Sequence, residues 1–346
     1  MGIWYCTRED VKSSGEIKSS AFANPRVDRA IEAASRAVER LTHRKFYPWT
    51  GVRYFDWPND QRAAPWRLWL EENELLSVTS LVSAGATISP SAYNLEPAND
   101  GPPYDRVELL TSGSAAWGGA STAQRSIAIT GVFGASDDET LAGVLGEALD
   151  DSETAIDISD SAAIGVGDLL RVDDERMLVI GKSLKDTGQT LAADLGGQAK
   201  NQTATVADGS VFAAGEALSI GAERLLIEDI ADNTLIVKRA WDGSLLESHT
   251  TGDGIYAYRT LTVERGYVGT TAATHSDATA IYKNAPPGPV GALCLAEAIV
   301  LLDQQSSKYA RTIGSGDNQQ EARGVGLIDL RKQVNAQYGR IRIGAI

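Results

Sequence analysis

Two of the three histidines in this chain lie in matched surroundings. Laid over each other without gaps, "TLIVKRAWDGSLLESHTTGDGIYA" (234–257) and "TLTVERGYVGTTAATHSDATAIYK" (260–283) put His275 on His249, Arg265 on Arg239, Gly269 on Gly243 and Tyr282 on Tyr256. Three chemistries are open to such a stretch. An imidazole beside a nucleophile and an orienting acid is a general base. A glycine-rich turn can cradle a phosphate. The acidic run "DDER" (173–176) offers oxygen ligands of the kind calcium takes.

Each of these lacks a part. No acid or nucleophile recurs in sequence beside the two histidines, and neither a lysine nor a helical pattern follows the glycines. A second alignment sets "GDLLRVDDERMLVIGKS" (167–183) over "GEALSIGAERLLIEDIA" (215–231), and the two leading acids of "DDER" become Gly221 and Ala222. That run therefore reads as a hairpin turn with solvated charge. A histidine that recurs at one place in a repeated unit reads as structural, its imidazole bonded to backbone in a long loop between strands. Arg239, His249, Arg265 and His275 are expected to hold loops rather than to react. No GxSxG, HExxH or GxxxxGK[ST] occurs elsewhere, and no CxxC or Cys/His cluster. The expectation is a protein that is not an enzyme, with no cofactor and no metal.

The two alignments together describe nested copies. An inner copy runs over about 205–257. An outer copy is split into about 155–184 and 260–283, with the inner one inside its loop. Each unit has about four short strands, too few to bury a good core alone, so the two are expected to pack together as a small barrel or sandwich. The acidic stretch before them, "SDDETLAGVLGEALDDSET" (136–154), reads as a linker with a helical turn or two.

On either side of 136–285 the character changes. Thr7 and Asp10 form a capping-box pattern for a short helix. Asn24 can cap a second helix with Pro25 in its first turn, and Val27, Ile31, Ala34, Val38 and Leu41 recur at helical spacing. Short β-branched and aromatic runs between 51 and 134 predict antiparallel strands. After 285, the segment from Leu293 to Leu302 is apolar on nearly every face and predicts a helix buried on most sides. An amphipathic segment follows with Leu327, Leu330, Val334 and Tyr338 on one side, and "GRIRIGAI" alternates like a strand. The fold class predicted is α+β: a helical core with antiparallel strands, formed by 1–135 and 286–346, carrying an inserted all-β domain at 136–285 made of nested duplicated units.

Net charge is −14, which repels nucleic acid and anionic lipid at long range. Arg323, Arg331, Lys332, Arg340 and Arg342 against Asp329 make the last 24 residues basic. A basic, partly apolar arm on an acidic body suits docking. Cys6 and Cys294 are far apart in sequence and read as reduced thiols of a cytosolic product. The longest apolar stretch, 289–302, is too short to span a bilayer and contains Glu297, so no membrane partner is expected.

With 136–285 set aside, the order of "YCTREDVK", the helix ending "LTHRKFYP", "LLSVTSL" preceding "YNLEP", and "ITGVFG" leading to the alanine-containing helix "PVGALCLAEAIVLL" resembles the head–tail connector, or adaptor, proteins of long-tailed bacteriophages. The likeness rests on order and character, not on a catalytic motif, and the β insertion is its main departure. The resemblance implies a virion neck protein, assembled in the host cytoplasm, forming a homo-oligomeric ring of about twelve copies. It implies portal protein above, a tail-proximal stopper below, and DNA passing through without sequence-specific binding. Val27, Ile31, Val38, Leu41, Leu293 and Val300 would lie in the ring wall. Leu327, Leu330, Arg331, Lys332, Val334, Tyr338, Arg340 and Arg342 would form the portal-docking arm.

Two other readings stand beside it. The insertion could be a virion-surface or tail-associated carbohydrate-binding or decoration module, with Trp241 and Tyr267 as aromatic platforms, although large rings in small units usually fill the core. A hydrolase would need two carboxylates on facing strands about 5 to 9.5 Å apart.

Overall fold

The computed structural model describes residues 2–14, 23–57, 65–118, 121–306, 312–313, 320–321 and 325–340. The fold is α+β and dominated by sheet, with 37% of residues in strands and 23% in helices.

Helix α1 (Arg8–Ser13) starts at the expected capping box, in which Thr7 Oγ1 accepts from Asp10 N at 3.1 Å and Asp10 Oδ2 from Thr7 N at 2.8 Å. Helix α2 (Asn24–Thr42) buries Val27, Ala30, Ile31, Ala34 and Val38 along one stripe, and His43 ends it in the left-handed conformation (φ 56). Its N-cap is Ala23, not Asn24: the Asn24 carboxamide instead accepts from the Lys12 ammonium, tying α1 to α2. Helix α3 (Gly288–Ser306) buries Val290, Leu293, Cys294, Ala298 and Leu302, while Val300 is half-buried. Helix α4 is Val325–Tyr338. The four helices join one apolar cluster that also holds Phe46 and Tyr47. Residues from both ends of the chain therefore share a core; Cys6 Sγ and Cys294 Sγ lie 3.4 Å apart within it.

Between α2 and residue 134, a four-stranded antiparallel sheet orders Trp49–Phe55, Ile127–Phe133, Leu75–Ser83 and Ala86–Ile88. A three-stranded sheet orders Arg67–Trp69, Arg106–Leu109 and Tyr93–Glu96. The two share a second apolar cluster, with Leu68, Leu75, Val107, Ile127 and Ile129 fully buried. In Ile127–Phe133 every second residue is buried, as period-two patterning requires.

Residues 139–284 form a ten-stranded sheet around a long ladder between Glu175–Thr190 and Gly254–Glu264. Two strand units with the same pairing hang on this ladder. In one, Leu169–Val172 turns into Glu175–Thr190 (Val172 opposite Glu175) and takes Ala280–Asn284 on its other side (Arg171 opposite Tyr282). In the other, Ala217–Ile220 turns into Glu223–Ala231 (Ile220 opposite Glu223) and takes Gly254–Glu264 on its other side (Ser219 opposite Tyr256). Isolated bridges match as well: Leu149 pairs with His275, and Leu195 with His249.

Two expectations are corrected here. Residues 136–154 are not a helical linker. Glu139–Val144 is a strand on Ala280–Asn284, and buried Leu145 and Leu149 join the helical core, because alternate apolar residues at this spacing serve an edge strand equally well. Nor do the two units bury one shared core, although the ladder between Glu175–Thr190 and Gly254–Glu264 joins them in one sheet. The inner one closes its own apolar cluster around Leu218, Leu225, Leu235 and Ile255, whereas the outer one buries Leu170, Met177, Leu178 and Leu261 in the cluster shared with the helices.

Candidate functional site

The two histidines stand on matched ion clusters, one per strand unit. Glu175 opens Glu175–Thr190 directly after a tight turn, so its side chain faces inward beneath the following loops. Its carboxylate has no exposed surface. Arg265 donates Nε and Nη2 to it at 2.7 and 2.8 Å; the N–H groups of Gly266 and Ala273 each donate at 2.9 Å; His275 Nε2 lies at 3.0 Å. The remaining Arg265 hydrogens go to the carbonyls of Asp150, Glu153 and Ala273.

Glu223 repeats this bond for bond. Arg239 Nε and Nη2 donate at 2.8 and 2.7 Å, Ala240 N at 2.9 Å and Glu247 N at 3.2 Å, with His249 Nε2 at 2.9 Å. Arg239 also reaches the carbonyls of Gly196, Asn201 and Glu247. Each arginine thus stitches two loops, through three carbonyls, to one carboxylate. A bidentate guanidinium can do this because five hydrogens leave one rigid plane.

The imidazoles therefore bond buried carboxylates, not backbone, which corrects the expectation for His249 and His275. An acid does recur beside them. It lies in the "ER" of the other alignment, 48 residues from its counterpart, and only the fold brings it under the histidine. "DDER" is corrected too: Asp173 and Asp174 are exposed as expected, but Glu175 is buried. Asp173 Oδ2 takes His275 Nδ1 at 2.8 Å, so the outer cluster has one contact the inner one lacks. A shared signal was present in the sequence: Glu-Arg at one fixed place and Arg…His at another recur in both copies.

These clusters are built to hold charge. Burial, the largest single influence, pushes the Glu175 carboxyl up, but the bonds from Arg265, His275 and the Ala273 and Gly266 N–H groups outweigh it and hold it at about 2. Glu223 is likewise held at about 2, burial being outweighed by Arg239, His249 and two N–H groups. A carboxylate fixed in its charged form by five donors is neither a proton carrier near neutral pH nor a free nucleophile. With those donors in place, its oxygens have little left to offer a cation.

A third buried ion pair was not anticipated. Arg259 Nε and Nη2 donate to Glu216 at 2.8 and 2.6 Å, and Ser161 N and Oγ donate at 3.0 and 3.1 Å. Asp168 contrasts with it. Burial lifts its carboxyl to about 6, with Glu9 and Asp10 adding to the rise and Lys283 and the Gly165 N–H opposing it.

Where the repeated loops touch the rest of the molecule, both use the same short turn. In Tyr267–Gly269, Gly269 (φ 84) lies so close to Thr50 that an added Cβ would stand 1.9 Å from its carbonyl oxygen. In Trp241–Gly243, Asp242 pairs with Lys12 of α1 and with Arg224 at 2.7 Å. Trp241 is buried, with the Lys238 ammonium 5.0 Å from its ring centre, and Tyr267 is half-buried against the helical core.

Helix α4, with Arg331 and Arg340, lies on the body. Val334 of α4 is fully buried, and Leu327, Leu330 and Tyr338 pack on the helical cluster, Tyr338 edge-on to Phe46 at 5.9 Å. Arg331 grips Glu297 of α3 through two bonds of 2.6 and 2.8 Å. Arg340 Nη2 lies 3.1 Å from Glu74, and its N–H donates to Thr42 O at 3.0 Å. Lys332 is exposed and pairs with Asp329 at 3.6 Å. Arg342 and the rest of the closing strand expected in "GRIRIGAI" lie outside the described residues. Of the residues expected in a ring wall, Val27, Ile31, Val38 and Leu293 are fully buried within the chain itself, and Leu41 and Val300 are half-buried.

Among the described residues no group of three His, Cys, Asp or Glu side chains is placed to hold a metal ion, and no helix is long and apolar enough to cross a membrane. The chain matches no family model, no curated protein and no solved structure.

Proposed function

We propose that this chain is a non-enzymatic phage assembly protein, a head–tail adaptor that forms a ring of about twelve copies between portal and tail. The observation that carries the reading is the use made of the chemically capable side chains. The buried Glu, Arg and His groups of the repeated loops are consumed by bonds to one another and to backbone, and the loops they fix brace the helical and four-stranded parts. That is the economy of a scaffold. On this reading the two matched strand units are the nested duplicated units of an all-β domain inserted into the adaptor core after the strand Ile127–Phe133. The helices from the two chain ends, sharing one core, would form the ring wall, and α4 with the residues after it would supply the portal contact. A chain of net charge −14 would line a passage that DNA traverses without adhering.

The test is reconstitution. Purified protein mixed with portal dodecamers is expected to give rings in negative-stain images and a stable complex in sedimentation. Protein that stays monomeric beside portal at every concentration and salt tried would remove the reading.

A virion-surface carbohydrate-binding or decoration role has one observation of its own. Trp241 and Tyr258 line a cleft of about 220 Å³ between α1 and the inner strand unit. Glycan-array binding that disappears in a folded Trp241→Ala variant would favour it.

A further inference from the structure

A second cleft, of about 300 Å³, lies between the C-terminal end of α2 and the strand Trp49–Phe55. Its acids and bases are unevenly matched. Glu74 is taken by Arg44 at 2.9 Å and Arg340 at 3.1 Å. Glu39 is taken by Arg36 at 2.9 Å and by the Tyr5 hydroxyl at 3.0 Å. Glu72 also has a partner. Two cations remain. The Arg53 guanidinium carbon lies 4.3 Å from the ring centre of Trp49 and 5.8 Å from that of Phe133, and the Lys45 ammonium lies 6.0 Å from that of Tyr47. Neither forms an ion pair among the described residues. Arg53 Nε is, in addition, buried with no acceptor among the described residues, a costly state for a charged donor.

Stacking on an aromatic face orients a guanidinium without consuming its hydrogens. An arginine held in this way, with an unsatisfied buried donor and a second uncommitted cation lining the same cleft, is arranged to receive a planar or tetrahedral oxyanion through its edge. We infer that this cleft is an oxyanion site, with Arg53 as the principal ligand and Lys45 as the second charge, taking a carboxylate or a phosphate group. This does not depend on the neck assignment. The oxyanion could be a free anion, or an acidic side chain of a second copy of this acidic chain, and the experiment separates the two.

The full-length chain is titrated with inorganic phosphate and, separately, with acetate at low ionic strength, following the Arg53 Nε–H signal in ¹⁵N NMR and the binding heat. Sedimentation is run in parallel with and without the same anions. Arg53→Gln and Arg53→Lys are compared with Arg106→Gln, whose guanidinium sits among Asp105 and Glu108 away from the cleft. Saturable binding in the range of about 1 mM, weakened about tenfold or more by Arg53→Gln and unchanged by Arg106→Gln, supports a free-anion site. Self-association that phosphate disperses and Arg53→Gln abolishes supports a carboxylate from a neighbouring copy. Arg53→Lys keeps the charge and the stem but loses the fork, so it guards against misfolding of the glutamine variant; it should weaken either readout severalfold. An Arg53 signal that does not move up to about 50 mM anion, with self-association also unaltered, overturns the site, as does equal response in Arg53→Gln.

Discussion

Arg239 meets Glu223 as a closed fork of 2.8 and 2.7 Å, with the carboxylate fully shielded from solvent, and Arg265 meets Glu175 in the same way at the matched place in the outer strand unit. Breaking one partner of a buried pair leaves an uncompensated charge. Glu223→Ala is expected to lower stability by about 3 to 5 kcal/mol, whereas replacing both Glu223 and Arg239 with apolar residues of similar volume should cost less. Urea unfolding of the single and double variants measures the difference. His249→Ala should cost about 1 to 2 kcal/mol, since four donors remain on Glu223.

The same carboxylates set the acid limit. Their folded values of about 2 lie below the ordinary range, so the native state stays ionised where the unfolded chain takes up protons. Their contribution is complete above the ordinary Glu value of about 4.3 and is lost as pH falls from there through about 2. Asp168 has the opposite sign. Raised to about 6, it is protonated in the fold where the unfolded chain is already charged, so stability falls as pH rises from about 4 to about 6. Circular dichroism against pH should show Glu223→Gln flattening the acid slope and Asp168→Asn flattening the slope between pH 4 and 6.

The thiols of Cys6 and Cys294 should be silent in the native protein. Both are buried, and the bond to Cys294, with burial, raises Cys6 far above the usual thiol range. A chromogenic disulfide reagent is expected to count about no thiols in buffer and about two in denaturant.

Gly269 is expected to be irreplaceable for two reasons that can be separated. Gly269→Ala meets both a left-handed backbone (φ 84) and the Thr50 carbonyl 1.9 Å from the new methyl; Gly188→Ala meets only the backbone term (φ 70), with nothing within 4 Å. Gly188→Ala should cost about 1 kcal/mol and Gly269→Ala clearly more. Thermal melts of the two variants give the comparison.

Helix α4 rests on the body through Val334 and the Arg331–Glu297 pair. Val334→Asp would bury an unpaired carboxylate and should release the helix. Limited proteolysis is expected to cut near residues 325–340 about tenfold faster, with the strand units unchanged in hydrogen exchange.

Much of the fold is legible in the sequence. The capping box of α1, the stripe of α2, the all-round apolar α3 and the hairpins at Leu169–Val172 and Ala217–Ile220 follow from spacing alone, because periodicity of 3.6 or 2 is a local property. The strand Glu139–Val144 is not legible in this way, because a short apolar run with acids suits an edge strand and a frayed helix equally.

The matched clusters divide along the same line. By itself the sequence established that Arg239, His249, Arg265 and His275 recur at equivalent places and that Glu175 and Glu223 recur at others. Only the tertiary structure decided that these sets meet, since Glu175 and Arg265 are 90 residues apart and are joined by a ladder whose register no local pattern specifies. It also decided which core each strand unit joins. Burial is a sum over distant neighbours, whereas propensity is a property of a few adjacent residues, and so the charge of Glu175 reads as a solvated turn until the loops that cover it are in place.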